Sequence, residues 1–171
     1  MALGFYRLDV DKDGMLRQDG FVSLGQQVAE QLQRAEGSAH TDRIVQAFIN
    51  LWEVFGKPAD KDKDNAVSFD EFAQAHAEFV QSPHAREQGI GLDAALFAAL
   101  DANGDGRLSA QEYVAFLQPM GISTAEAETA FQHLDRDGDG LISDDELAVD
   151  LWEYWNSEDR AAPGNWLFGS Y

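Results

Sequence analysis

The sequence predicts an all-α fold of four helix–loop–helix units, packed as two pairs with a short β-bridge between the loops of each pair. Three observations predict it. A twelve-residue loop pattern recurs four times, beginning at Asp9, Asp60, Asp101 and Asp135. Apolar residues flank the loops at helical spacing. The eighth position of every loop is apolar: Leu16, Val67, Leu108 and Ile142. Such residues can pair with a partner loop across a bridge.

The loops carry the chemistry. Calcium takes six to eight oxygens at roughly 2.3–2.6 Å. In a twelve-residue loop, side chains at positions 1, 3 and 5 turn inward, and position 7 offers its backbone carbonyl. Position 9 often acts through water, position 12 supplies both oxygens of a Glu, and Gly at position 6 permits the sharp turn. Loops three and four match without a fault. The expected ligands are Asp101, Asn103, Asp105, the Arg107 carbonyl and Glu112 in loop three. In loop four they are Asp135, Asp137, Asp139, the Leu141 carbonyl and Glu146. Loop two offers Asp60, Asp62, Asp64, the Ala66 carbonyl, Ser68 and Glu71, with Asn65 in place of the position-6 Gly. Asn is the next most tolerant residue for a left-handed backbone. Loop one offers Asp9, Asp11, Asp13 and the Met15 carbonyl, but Gly20 stands at position 12 and Arg17 at position 9. Asp19 comes one residue too early to replace the missing Glu. Three calcium sites are therefore expected, in loops two, three and four. Loop one should bind weakly or not at all, and magnesium is the cation that can compete.

The elements follow in order. Helices are expected over 2–8, 18–35, 41–56, 69–80, 92–100, 110–117, 123–134 and 144–156. Phe48, Ile49, Trp52 and Phe55 make an apolar stripe before loop two, and Phe69, Phe72, Ala75 and Phe79 make one after it. Ser123 and Glu126 read as a capping box. So do Ser68, Ser109 and Ser143 with Glu71, Glu112 and Glu146, a role compatible with ligation because each outgoing helix starts inside its loop. Close spacing pairs loop three with four across Pro119-Met120-Gly121, and loop one then pairs with two across Gly37-Ser38. The expected units are residues 1–82 (loops 9–20 and 60–71), residues 90–156 (loops 101–112 and 135–146) and an aromatic tail, 157–171. Gln81–Gly89, with Pro83, loses its periodicity and reads as the joint. The tail, through Pro163-Gly164-Asn165-Trp166-Leu167-Phe168, is expected to be non-helical and docked, since exposing three large side chains is unfavourable.

Composition excludes several classes. The chain has 171 residues, 44% of them hydrophobic, enough for a buried core. A formal charge of −19 repels phosphates and argues against nucleic-acid binding; three calcium ions, adding six charges, would leave −13. There is no cysteine to build a disulfide framework. No apolar run reaches the length of a membrane span, and Met1-Ala2-Leu3-Gly4-Phe5 shows neither a signal-peptide nor a myristoylation pattern. A cytoplasmic monomer is expected. The acids recur at strict one-three-five spacing, which fits coordination rather than a catalytic pair, so no enzyme is expected. His40, His76, His84 and His133 show no metal-ligand spacing, and Trp52, Trp152, Trp155 and Trp166 are expected in the core or as a lid.

With these loops, a stretched first pair and the tail from Pro163 to Gly169, the chain resembles the sarcoplasmic calcium-binding protein family, most of all its calerythrin-like prokaryotic members. The resemblance implies a compact four-EF-hand fold with two EF-hand pairs packed together, and one of four loops commonly idle. Three functional readings stand beside it. The first is a calcium buffer or store. The second is a sensor that regulates a protein partner. Sensors expose a Met-rich groove, and this chain has three Met, at 1, 15 and 120. The third is a binder of a hydrophobic ligand, as in related photoproteins.

Overall fold

A computed structural model describes residues 2–36, 41–83 and 85–169. The Gly37-Ser38 linker, His40 and His84 lie outside those residues. Helix α1 (Ala2–Leu8) leads into loop one, and α2 (Gln18–Glu36) leaves it. Helix α3 (Thr41–Leu51) enters loop two and α4 (Phe69–Gln81) leaves it. Helices α5 (Ala85–Leu100) and α6 (Ala110–Leu117) flank loop three, and α7 (Thr124–Leu134) and α8 (Asp144–Asn156) flank loop four. Strand β1 (Met15–Leu16) pairs antiparallel with β2 (Val67–Ser68), and β3 (Leu108–Ser109) with β4 (Leu141–Ile142). The register sets Leu16 against Val67 and Leu108 against Ile142, the expected position-8 pairs. Among the described residues no helix is long and apolar enough to cross a membrane.

Three segments depart from the expected spans. Helix α3 does not stop at residue 56. It passes through a π-helical stretch, Trp52–Gly56, into one further turn, Lys57–Ala59. Pro58 has no N–H to continue the regular ladder, and Lys57 N–H reaches back five residues to the Trp52 carbonyl. Gly56 makes room, since a Cβ there would lie 2.1 Å from the Trp52 ring. Helix α5 begins at Ala85 rather than 92. Its first turns bury the small residues Ala85 and Gly89, so no large apolar side chains announced the period. The tail forms one 3-10 turn, Pro163–Trp166. Gly164 lets that turn lie on α8, because a Cβ would meet the Asp150 carbonyl at 2.2 Å.

One continuous core holds both loop pairs together. Phe5, Phe21, Leu24, Phe48 and Trp52 belong to it, and so do Leu100, Tyr113, Phe116, Leu134 and Leu147. The Phe48 and Phe116 rings meet across the halves, with centroids 6.2 Å apart. The tail closes the core: Leu167 and Phe168 are buried, and the fully buried Tyr113 donates its hydroxyl to the Leu167 carbonyl at 2.9 Å. Trp166 stacks on His133 at 4.3 Å. The Gly4 N–H donates to the Tyr154 hydroxyl at 2.8 Å, fixing α1 to α8.

Candidate metal centres

Each loop is folded around its first Asp. That carboxylate accepts backbone N–H groups from the turn it encloses. Asp60 takes Lys63 at 2.7 Å and Asn65 at 3.1 Å. Asp101 takes Gly104 at 2.6 Å and Gly106 at 3.1 Å. Asp135 takes Gly138, Asp139 and Gly140 within 3.1 Å. In loop one Asp9 takes Asp13 and Gly14. Positions 3 and 5 continue the pattern two residues on, as in Asp62 to Asp64 and Asp64 to Ala66. These Asx-type turns point the acids inward.

The turns demand left-handed backbone at two places per loop. At position 6 Gly14, Asn65, Gly106 and Gly140 have φ of +83°, +67°, +81° and +87°. Sequence reasoning foresaw these. It missed position 4, where Lys12 (+60°), Lys63 (+64°), Gly104 (+77°) and Gly138 (+75°) are also left-handed. The signal was available: glycine stands at position 4 in loops three and four, and lysine in loops one and two.

Position 12 ties each outgoing helix back to its loop. Glu146 receives the Ser143 N–H and hydroxyl on one oxygen, at 2.8 and 2.7 Å. Its other oxygen receives the Arg136 and Asp137 N–H groups, at 3.0 and 3.3 Å. Glu71 repeats this with Ser68, Lys61 and Asp62, and Glu112 with Ser109 and Asn103. All three helices carry the full capping box. Ser123 caps α7 by accepting the Glu126 N–H. Ser68 N–H and hydroxyl hold Glu71 below its ordinary pKa. Burial pushes Glu146 up, but the hydrogen bonds from Ser143, Asp137 and Arg136 outweigh it and leave it lowered.

The donor sets converge. Carboxylate oxygens of Asp60, Asp62 and Glu71 lie within 4.8 Å of one another, as do those of Asp135, Asp137 and Glu146. Oxygen-only clusters of like charge fit a hard divalent cation. In loop three Asn103 takes the place of one acid, and its amide donates to Asp105 at 3.0 Å. Asp101 and Glu112 are buried there. Loop one gathers Asp9, Asp11 and Asp13 equally closely, yet its far side differs. Arg17 donates to Asp13, which lowers the Asp13 pKa and raises its own. Asp19 accepts the Gly20 N–H at 3.0 Å, and Gly20 brings no carboxylate to the loop. Burial, opposed by the Gly14 N–H, raises Asp9.

Several cationic contacts at the loops were not foreseeable, among them Arg107 of loop three, 3.7 Å from Asp139 of loop four. Arg43, from α3, lies over loop three, with its guanidinium 3.4 Å from the Ala102 carbonyl and 4.0 Å from Asp101. A Cβ on Gly104 would meet it at 2.0 Å. Arg136, at position 2 of loop four, grips the buried Asp150 at 2.6 and 2.9 Å and Glu153 at 2.6 Å. Glu153 in turn accepts the Gly164 N–H at 3.1 Å, which connects loop four to the tail.

Known proteins point the same way. A family model described as "EF hand" matches residues 92–117, and one described as "EF-hand domain pair" matches 117–154. Calerythrin of Saccharopolyspora erythraea is 30% identical, covering 88% of this chain and 86% of its own. The alpha chain of the sarcoplasmic calcium-binding protein of Penaeus vannamei is 30% identical, covering 96% and 90%. In fold, the chain is similar to the calcium-loaded apo form of the coelenterazine-binding protein of Renilla muelleri. The TM-score is 0.84 at 21% identity, covering 99% of this chain and 92% of that one. With oxygen-lined loops on paired helix–loop–helix units, the chain belongs to the calerythrin and sarcoplasmic calcium-binding proteins, and it is an EF-hand calcium-binding protein.

Proposed function

We propose that the protein is a calcium buffer with three working loops, and that loop one is a folded but idle copy. The carrying observation is position 12. Glu71, Glu112 and Glu146 each hold both oxygens at the loop, whereas loop one has Gly20 and an arginine on Asp13. Calcium would be held in loop two by Asp60, Asp62, Asp64, the Ala66 carbonyl, Ser68 and Glu71. In loop three Asp101, Asn103, Asp105, the Arg107 carbonyl and Glu112 would hold it. In loop four Asp135, Asp137, Asp139, the Leu141 carbonyl and Glu146 would do so. Magnesium competes for the same oxygens but favours octahedral sites with water retained. The recurrence of acids at coordinating spacing supports a binding protein rather than an enzyme.

Packing supports the buffer over a sensor and over a protein that encloses a hydrophobic ligand in its interior. The interior void between Gly4, Leu51, Leu96, Leu151 and Phe168 measures about 20 Å³, far below the roughly 300 Å³ of an enclosed small-ligand chamber. The larger hollows, about 390 Å³ beside Phe55 and Phe72 and about 500 Å³ beside Trp152, are grooves partly open to solvent. Of the methionines, Met120 is buried and Met15 sits in loop one, so neither forms a groove of the sensor kind. The test is calcium addition to metal-free protein with an apolar-surface dye and small-angle scattering. A buffer compacts and does not bind the dye. A calcium-induced rise in dye binding would make the protein a sensor.

A further inference from the structure

A groove on the surface lies between α5 and α8; its lining reaches Asp145, the neighbour of Glu146, but includes none of the proposed loop ligands. Its volume is about 500 Å³, within the range of small-molecule sites. Its walls are aromatic and aliphatic: Phe79, Leu92, Trp152 and Trp155, with the Phe79 and Trp152 rings 6.5 Å apart. Val149, one of the few large apolar side chains left exposed among the described residues, stands at its edge. Two acids enter this apolar surface, Asp93 and Asp145. No Lys or Arg lines it among the described residues.

Asp93 is the informative group. It is only half-exposed, and no cation meets its carboxylate among the described residues. A carboxylate partly stripped of water and left unpaired is unfavourable unless something completes it. Aromatic rings beside an acid are complementary to an organic cation, whose charge interacts with the ring faces and the carboxylate while its body covers the apolar wall. An anion would be repelled by these acids and by the net charge of −19. A neutral ligand would leave Asp93 unpaired.

We propose that the groove between α5 and α8 binds a small organic ammonium ion with an apolar ring or chain, Asp93 pairing with the ammonium and Phe79, Trp152 and Trp155 holding the body. The site goes beyond calcium buffering and uses none of the proposed loop ligands.

The test uses the full chain saturated with calcium, so that the loops do not compete for cations. The probes are 3-phenylpropylammonium and its neutral analogue 3-phenylpropanol, followed by calorimetry and by backbone NMR shifts of α5 and α8. The ammonium should bind with shifts confined to the groove, and the alcohol should bind about tenfold more weakly. Asp93→Asn should remove that preference. Glu158→Gln, which removes one exposed charge elsewhere, should leave it intact. Circular dichroism verifies that both variants fold. Equal binding of the two probes, no binding of either, or equal losses in the two variants would overturn the proposal. Selective binding of a Leu/Lys amphipathic peptide in place of the small amine would overturn it too, making the groove a protein-docking surface.

Discussion

The first loop pair and the second share one backbone design and differ in their side-chain chemistry. Both pairs carry an antiparallel two-residue bridge at position 8, an Asp at position 1 collecting turn N–H groups, and left-handed residues at positions 4 and 6. The second pair meets the left-handed requirement with glycine at all four places. The first uses Lys12, Lys63 and Asn65 at three of them; the two lysines are each strained by about 1–2 kcal/mol, and Asn65 less, because a short polar side chain can hydrogen-bond locally. The second pair has Glu at both twelfth positions, and the first pair has it only in loop two. The turns and strand pairing therefore rest on positions 1, 4, 6 and 8, which the two pairs share in kind, and the pairs part at positions 9 and 12. Loop one keeps its turn and its strand pairing without an acid at position 12.

Removing calcium should break the comparison most. Gathered carboxylates repel without a cation, and saturation at 100 times the dissociation constant adds about 2.7 kcal/mol per site. Three sites give about 8 kcal/mol, comparable to the whole stability of a domain. Chelation should lower the melting temperature steeply in calorimetric scans. A drop of only a few degrees would show that the shared core holds both pairs unaided.

Glu146→Gln comes next. It weakens bidentate coordination and should remove about one site's share, close to 2.7 kcal/mol. The loss should appear as a titration with one fewer ion and a lower melting temperature in calcium. The capping bonds to Ser143 explain why the helix itself should persist.

Gly20→Glu with Arg17→Ser should give loop one the oxygens that the other three loops carry. Nothing lies within 4 Å of a Cβ at residue 20, so the Glu has room, and removing Arg17 frees Asp13. A further calcium should bind in calorimetry. Gly20→Glu alone should gain less, because Arg17 still neutralises Asp13.

Arg43→Gln is a smaller test, and it concerns how the halves communicate. A cation beside Asp101 opposes calcium through space. Its removal should tighten loop three a few-fold, about 1 kcal/mol or less, with loops two and four unchanged. No change at loop three would mean that solvent screens the contact completely.

Asn65→Gly should have the smallest effect. It relieves left-handed strain but adds freedom to the unfolded chain, so stability in calcium should rise by about 1 kcal/mol or less. A clear loss in thermal melts would mean that the Asn65 side chain makes a bond the turn needs.

The helix–loop–helix units and the strand pairs were legible because they rest on local, repeated signals: the one-three-five acids, the position-8 apolar residue and the Ser/Glu caps. The start of α5 was not legible, because Ala85 and Gly89 make its inner face with small residues. The run of α3 through Pro58 was hidden because proline reads as a stop, and the π-helical stretch around Gly56 absorbs it. At the candidate sites, the inward side of each loop followed from spacing. Arg43 did not, since nothing near it in the chain indicates that it reaches Gly104. The link from Arg136 through Glu153 to the tail is likewise tertiary.

The central claim is that three loops bind calcium and the first does not. Backbone NMR of the position-6 residues Gly14, Asn65, Gly106 and Gly140 during a calcium titration of metal-free protein tests it loop by loop. The account predicts that the Asn65, Gly106 and Gly140 signals move to completion by three equivalents while Gly14 stays near its starting position. Movement of Gly14 in step with Gly140 would contradict it.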